Sequence, residues 1–156
     1  MREHRFTLDF PHPAERVWKL FQRYDLWTKY APMVVGVEVV HPGDANGIGL
    51  LRRVIYKMPL RRKGSALELV TDVEPGRGYT YTMLSRSPGN DQTGKVRLEP
   101  IDGGMKTRLH FEERYHLTHP LFRHFEAQIY RFINKQNEES MRRASEFLTR
   151  NPDLEL

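Results

Sequence analysis

Residues 34–117 alternate between short strand-like segments and turn sequences, a pattern that few folds accommodate. The segments are VVGVEVVH, GLLRRVIYK, SALELVTDVE, GYTYTML, TGKVRLE and MKTRLHFEERYHL. They are separated by PGDANG, MPLRRKG, EPGRG, SRSPGND and PIDGG, which are rich in the residues that turns require. Six strands joined by such short connections predict an antiparallel meander.

The two ends of the chain add one strand and several helices. HRFTLDF alternates apolar and polar residues and predicts a first strand, which ends at Pro11. His12-Pro13 then begins a short helix, AERVWKLF, and a second short helix, DLWTKYA, precedes Pro32. From about Thr118, the predicted N-cap, apolar residues at spacings of three and four predict a single long helix. These residues are Leu121, Phe122, Phe125, Ile129, Phe132, Ile133, Met141, Ala144, Phe147 and Leu148.

Together these elements predict an α+β fold. A curved seven-stranded antiparallel sheet would wrap around the long C-terminal helix, with the two short helices between strands 1 and 2. We expect residues 1–156 to form one domain, with residues 151–156 as a frayed tail. A long helix laid across a strongly bent sheet rarely fills the space between them, so we expect a cavity there.

Composition excludes several classes of site. The chain has no cysteine, which excludes disulfides and thiolate chemistry, and no apolar run approaches the ~18 residues that span a bilayer. The N-terminus, MREHRFTLDF, lacks a secretory apolar segment, and we expect a cytoplasmic protein. The formal net charge is +5, with a cluster at Arg61, Arg62 and Lys63. That cluster is either a solvated surface or a weak site for an anionic partner.

Strand 7 carries an unexpected carboxylate. Every second residue from Thr107 belongs to one row, which otherwise consists of residues that can be buried. The row is Thr107, Leu109, Phe111, Glu113, Tyr115 and Leu117. Because an unpaired buried carboxylate is costly, we expect Glu113 to be paired or protonated, or to reach solvent from near the end of the strand. We expect Arg52 as its partner, with Glu68 as a second carboxylate that competes for the same cation.

Several segments of the chain resemble one superfamily. They are PAERVWKLFQRYDLWTKYAP, GIGLLRR, LVTDVEPGRGYTY, VRLEPIDGGMKTRLHFEERY and the terminal helix. These segments are similar to the START-like or Bet v 1-like (SRPBCC) helix-grip superfamily, and within it to bacterial polyketide cyclase/dehydrase-like proteins. The resemblance spans nearly the whole chain. It implies the fold predicted above but not one activity, because the superfamily includes carriers, receptors, cyclases and ribosome-associated proteins.

The resemblance also implies which residues face a ligand cavity. By similarity to plant abscisic acid receptors, the inward-facing residues are Arg52, Val54, Tyr56, Glu68, Tyr81, Met83, Glu113, Tyr115, Ile129, Ile133 and Asn137. Phe111, in the apolar row of strand 7, joins them as an expected ligand contact. The basic segment MPLRRKG departs from the gate sequence of those receptors, so hormone sensing is not implied.

Three functions remain open at this stage. The preferred one is binding of a small apolar or lipid-like molecule, as a carrier or sensor, without a cofactor. The second is a cyclase or dehydratase in which Glu113 or Glu68 acts as acid or base. The third is a ribosome- or RNA-associated regulatory protein, which the basic clusters suggest. The histidines do not have metal-ligand spacing, so we expect no metal site.

Overall fold

The sheet has the predicted architecture. A computed structural model describes residues 2–84, 90–117 and 119–156. The strands are β1 (Arg2–Phe10), β2 (Val34–Pro42), β3 (Leu50–Lys57), β4 (Lys63–Glu74), β5 (Gly78–Met83), β6 (Asn90–Ile101) and β7 (Lys106–Leu117). They form one sheet in the order β1-β7-β6-β5-β4-β3-β2, and every pair is antiparallel. The meander of β2 to β7 and the α+β class are confirmed.

The helices follow the prediction with one correction. They are α1 (Ala14–Gln22), α2 (Trp27–Tyr30), α3 (Pro120–Arg123) and α4 (Glu126–Arg150). The predicted single C-terminal helix is broken at His124 and Phe125, so only α4 is long. The predicted N-cap, Thr118, lies outside the described residues. Within the described ranges, no helix is long and apolar enough to cross a membrane.

The main apolar core lies between the sheet, α1 and the C-terminal half of α4. Val17, Leu20 and Phe21 project from one face of α1 and are buried. The core also contains Phe10, Tyr30, Ala31, Val96, Leu98, Leu109, Phe111, Ala144 and Leu148. A smaller cluster of Tyr115, Leu117 and Tyr130 lies under the start of α4. The helix therefore contacts apolar residues at both ends.

The buried face of α4 differs from the predicted stripe in two ways. Its inward positions include Tyr130, Ile133, Asn137, Ala144 and Leu148, which follow helical spacing but include a polar residue in the middle. Three predicted members, Leu121, Phe125 and Phe132, are instead more than half exposed. The break before α4 separates Leu121 and Phe125 from the helix, and Phe132 lies one residue away from the inward row.

The C-terminal tail is held against α1, where the sequence had suggested fraying. The guanidinium of Arg16 donates to the carbonyl oxygens of Asn151 (2.7 Å) and Pro152 (3.0 Å). Arg23 donates to the carbonyl of Glu155 (3.2 Å), and Leu156 packs against the main core. These contacts fix the backbone of the tail in a way that the polar sequence NPDLEL does not indicate.

Candidate functional site

Glu113 is buried inside the sheet, as the alternation in β7 predicts. All six members of its row are buried, whereas their neighbours are exposed or half-buried. Only 2% of the surface of Glu113 is exposed. The strand has thus placed a carboxylate on the concave face of the sheet, opposite α4.

Four neutral groups surround the carboxylate of Glu113. The hydroxyls of Tyr81 and Tyr115 donate to its two oxygens, each at 2.5 Å. The amide of Asn137 donates at 2.6 Å, and the amide of Gln92 is the fourth donor. Burial raises the pKa of Glu113 above its usual value, although the hydrogen bonds act in the opposite direction. The carboxyl of Glu113 therefore keeps its proton to a higher pH than a free glutamate does.

A glycine on β6 allows Tyr81 to reach Glu113. Tyr81 on β5 pairs with Gly94 on β6, and Gly94 pairs with Glu113 on β7. The tyrosine ring crosses the middle strand to bring its hydroxyl to the carboxylate, so a methyl group at position 94 would overlap the ring. Glycine supplies the required space.

Arg52 pairs with Glu68 and not with Glu113, which corrects the sequence-based expectation. The two residues are directly opposite each other on β3 and β4, and Nε of Arg52 lies 2.9 Å from Oε2 of Glu68. Tyr56 donates its hydroxyl to Oε1 of Glu68 at 3.1 Å. Both members of the ion pair are buried. The interior thus contains one carboxylate balanced by a cation and another surrounded by neutral donors.

Aromatic rings enclose the guanidinium of Arg52. Its Cζ lies 4.5 Å from the ring centre of Trp27, 5.4 Å from that of Tyr24 and 5.5 Å from that of Tyr79. The ring of Tyr81 is 5.7 Å away. Such distances allow cation–π attraction. Burial alone would lower the pKa of Arg52, but Glu68 raises it above the usual value, so the guanidinium stays charged.

The apolar residues of the predicted site occupy four places. Val54 is buried on β3, and Met83 is half-buried on β5, opposite Glu68. Ile129 and Ile133 pack on the small cluster beneath α4. Phe111 instead belongs to the main core, where its ring stacks on Phe6 with centres 4.9 Å apart.

The space beside Arg52 is small. A cavity of about 20 Å³ lies between α1, the loop that follows β2, and strands β3 to β5. Its lining includes Arg52, Tyr24 and Tyr79, and its volume is about that of one water molecule. Of the polar side chains predicted to contact a ligand, only Arg52 lines this cavity; the others contact one another or Arg52 in the interior of the protein. A larger ligand therefore requires some of them to move.

Several members of this constellation were not predicted from sequence. Gln92 precedes the predicted strand TGKVRLE, although it shares the two-residue period of Gly94, Val96 and Leu98 and so belongs to the inner row. Tyr24, Trp27 and Tyr79 were not linked to Arg52 from the sequence. A buried arginine needs contacts that offset the lost hydration of its guanidinium. The aromatic residues on the preceding helices were the signal in the sequence for such contacts.

Neutralising Glu113 should change how stability depends on pH. Because the folded pKa exceeds the unfolded value of 4.5, the protonated carboxyl stabilises the protein fully below that value. This contribution is lost as pH rises through the folded pKa. Between the two pKa values, each pH unit lowers the free energy of unfolding by about 1.4 kcal/mol. Glu113→Gln should remove this decline, as measured by urea unfolding from about pH 4 to about pH 8.

Two features of this experiment isolate Glu113. His4 lies opposite Glu113 on β1, and burial lowers the pKa of its imidazole; His4 is present in both proteins, so its titration cancels in the difference. Glu112→Gln, on the outer face of β7, controls for removing a carboxylate from the strand. A constant difference between wild type and Glu113→Gln at all pH values would contradict the raised pKa.

The histidines interact with neighbouring side chains. His110 lies 2.6 Å from Glu99 across the sheet, and His4 lies 3.3 Å from Glu138 of α4. Within residues 2–84, 90–117 and 119–156, no group of three metal-ligating side chains converges.

Comparisons with known proteins agree with this fold. A family described as "Polyketide cyclase / dehydrase and lipid transport" matches residues 1–146. Among curated proteins there is no match. Solved structures with the same fold include TTHA0849 from Thermus thermophilus, with 20% identity, 93% of this chain and 95% of that chain covered, and a TM-score of 0.76.

Two further structures carry more specific names. The Zhui aromatase/cyclase from Streptomyces sp. R1128 is 15% identical and has a TM-score of 0.80, with 96% of this chain and 94% of that chain covered. Ara h 8.0201 is 17% identical and has a TM-score of 0.67, with 96% and 100% covered. At these identities the likeness concerns the fold alone.

Proposed function

Because this chain belongs to the polyketide cyclase/dehydrase and lipid transport family, within the START-like, Bet v 1-like superfamily, we propose that it carries or senses a small molecule. The molecule would be largely apolar and would bear at least one oxygen. It would bind between the concave face of the sheet and α4. Its oxygen would contact the polar groups around Glu113, and its apolar part would contact the side chains of α4.

The observation that carries this proposal is the buried polar constellation itself. Arg52, Glu68 and Glu113 are each at most 6% exposed, and well-packed apolar residues would often stabilise such an interior as well or better. Arg52 and Glu113 also have shifted pKa values, and such groups in an enclosed interior are typical of binding and catalytic sites. We therefore assign them to recognition of a polar group on an otherwise apolar ligand.

A gradient of exposure suggests how a ligand would enter. Tyr56, Met83 and Asn137 are half-buried, whereas Glu113 and Arg52 beneath them are almost fully buried. Asn137 donates to Glu113 from α4. A ligand hydroxyl could replace that donor without leaving the carboxylate unsatisfied. The half-buried side chains are therefore the ones we expect to move.

Placing a charge on the inward face of α4 should abolish binding. In Ile133→Arg the guanidinium would enter the apolar part of the proposed site, so uptake of the neutral fluorescent dye Nile red should fall more than tenfold if burying the charge costs more than about 1.4 kcal/mol. Phe132→Arg is the matched control, because the adjacent Phe132 is 51% exposed. Fluorescence titration measures dye binding, and circular dichroism confirms that both variants fold.

Two outcomes would contradict the proposal. One is a wild-type protein that takes up no dye, shows no bound small molecule by native mass spectrometry and releases none on organic extraction. The other is a folded Ile133→Arg variant that binds the dye as tightly as Phe132→Arg does. Identification of an extracted compound would name the ligand class directly.

A second candidate function, acid–base catalysis, is favoured by the environment of Glu113. Its raised pKa and its short contacts with Tyr81 and Tyr115 are suited to transferring a proton to or from a bound carbonyl compound. This is the chemistry that a cyclase or dehydratase needs. The Glu113→Gln variant separates the two functions, because it should abolish turnover in an enzyme but only alter affinity in a carrier.

A further inference from the structure

Two segments of the chain contain basic residues but no acidic ones. The net charge is +5, from 25 basic and 20 acidic residues. Residues 57–63 (KMPLRRK) and 119–125 (HPLFRHF) together contain five basic residues and no acidic one. The basic and acidic residues of the remaining chain therefore cancel. Residues 57–63 contribute four of these five basic residues and would attract an anionic surface.

Both segments lie at the same end of the sheet. The segment 57–63 joins β3 to β4, and Lys57 pairs with Lys63 at the last position of that strand pair. The segment 119–125 follows β7, whose final residue, Leu117, pairs with Asn90 at the start of β6. Because neighbouring strands run in opposite directions, β3 and β7 finish at the same end of the sheet at which β4 and β6 begin. We call the two segments together the basic end.

The basic end also carries exposed apolar side chains. Leu60 is 87% exposed, Leu121 is 62% exposed, and Met58 and Phe125 are at least half exposed. Leu60 and Arg61 have φ angles of 59° and 58°, a left-handed conformation that is unfavourable for residues other than glycine. The backbone thus holds a leucine outward although neither its conformation nor its exposure stabilises the fold.

From this arrangement we propose that the basic end docks onto an anionic lipid bilayer. Leu60, Leu121 and Phe125 would insert among the acyl chains near the headgroups, while Arg61, Arg62 and Lys63 would contact the anionic headgroups. Apolar insertion and cationic attraction are the two contributions that drive peripheral membrane binding. RNA would match the charge but would leave the aliphatic side chains of Met58 and Leu60 without partners. The proposal does not depend on what binds near Glu113.

Vesicle sedimentation provides the test. The wild-type protein should sediment with vesicles made of equal parts phosphatidylcholine and phosphatidylglycerol, and should stay in solution with phosphatidylcholine alone. Each basic residue contributes roughly fivefold in affinity, so converting Arg61, Arg62 and Lys63 together to glutamate should weaken binding by on the order of a hundredfold or more. Leu60→Ser should weaken it by about tenfold.

Matched controls are available at the opposite end of the sheet. Met105→Ser removes a side chain that is 71% exposed next to the start of β7, and Arg77→Glu reverses an exposed charge in the turn before β5. Neither change should affect sedimentation. All of the substituted side chains are exposed, so every variant should fold, which circular dichroism checks.

Three results would overturn the proposal. The first is absence of wild-type sedimentation with the anionic vesicles at low salt. The second is a Leu60→Ser variant that binds them as wild type does, because binding would then be adsorption of charge alone. The third is tight binding of polyuridylate RNA that the triple glutamate variant abolishes, without vesicle binding by the wild type. That result would assign the basic end to nucleic acid.

Discussion

Replacing Arg52 with methionine is expected to lower the free energy of unfolding by about 3–5 kcal/mol. The substitution removes the cation that balances Glu68, and only 8% of the Glu68 side chain is exposed. It also removes the guanidinium between the rings of Tyr24 and Trp27 and the sheet, which weakens the attachment of the helical segment before β2. Equilibrium unfolding in urea at neutral pH measures the change.

Arg53 provides the control for this experiment. It is the next residue of β3 and also forms an ion pair at 2.9 Å, with Glu38, but both side chains are about half exposed. Arg53→Met should therefore have little effect. Adding Glu68→Leu to Arg52→Met should recover much of the lost stability, because no buried charge is then left unpaired. Equal effects of Arg52→Met and Arg53→Met would contradict a structural role for the buried pair.

The two interior carboxylates differ in a way that bears on function. Glu68 has a guanidinium beside it, whereas Glu113 has only neutral hydrogen-bond donors among its four partners. Burial raises the pKa of Glu113, so this carboxyl keeps its proton to a higher pH than a free glutamate does. A ligand that donates a hydrogen bond can satisfy either one. A ligand group that accepts a hydrogen bond is matched better by Glu113, which can donate while it holds its proton.

The faces of the strands could be predicted because the two-residue period is a local property. In β7 the alternation alone identifies the buried row, including Glu113. The inward placement of Arg52 and Glu68 came instead from the resemblance to plant abscisic acid receptors, and both residues are buried. No long-range information is needed for the assignment in β7, because adjacent residues of a strand point to opposite faces.

The pairing of side chains could not be predicted in the same way. Arg52 lies opposite Glu68 because of the register between β3 and β4, and the sequence does not fix which of two inward carboxylates will face it. The contacts of Tyr24 and Trp27 with Arg52 depend on how a separate helical segment packs on the sheet. The break at Phe125 could not be predicted either, because the helical spacing of apolar residues continues across it.

Gly94→Ala should disrupt the environment of Glu113 from the opposite side of the sheet. The added methyl group would overlap the ring and hydroxyl of Tyr81, and strand backbone surrounds the position, so the ring itself must move. The hydrogen bond from Tyr81 to Glu113 would then break within a buried site. Overpacking and the lost bond together should cost about 2–4 kcal/mol, measured by urea unfolding.

Two further variants separate this clash from a general effect of alanine in a strand. Gly36→Ala in β2 is the matched substitution, because its nearest neighbour would be a side-chain carbon of Ile55 at 4.0 Å, and it should be nearly neutral. Tyr81→Ala removes the ring, so adding Gly94→Ala to it should cost much less than in the wild type. If Gly94→Ala is as mild as Gly36→Ala, then Tyr81 does not cross β6 to reach Glu113. The carboxyl group would then have lost one of the four donors on which its role in recognition depends.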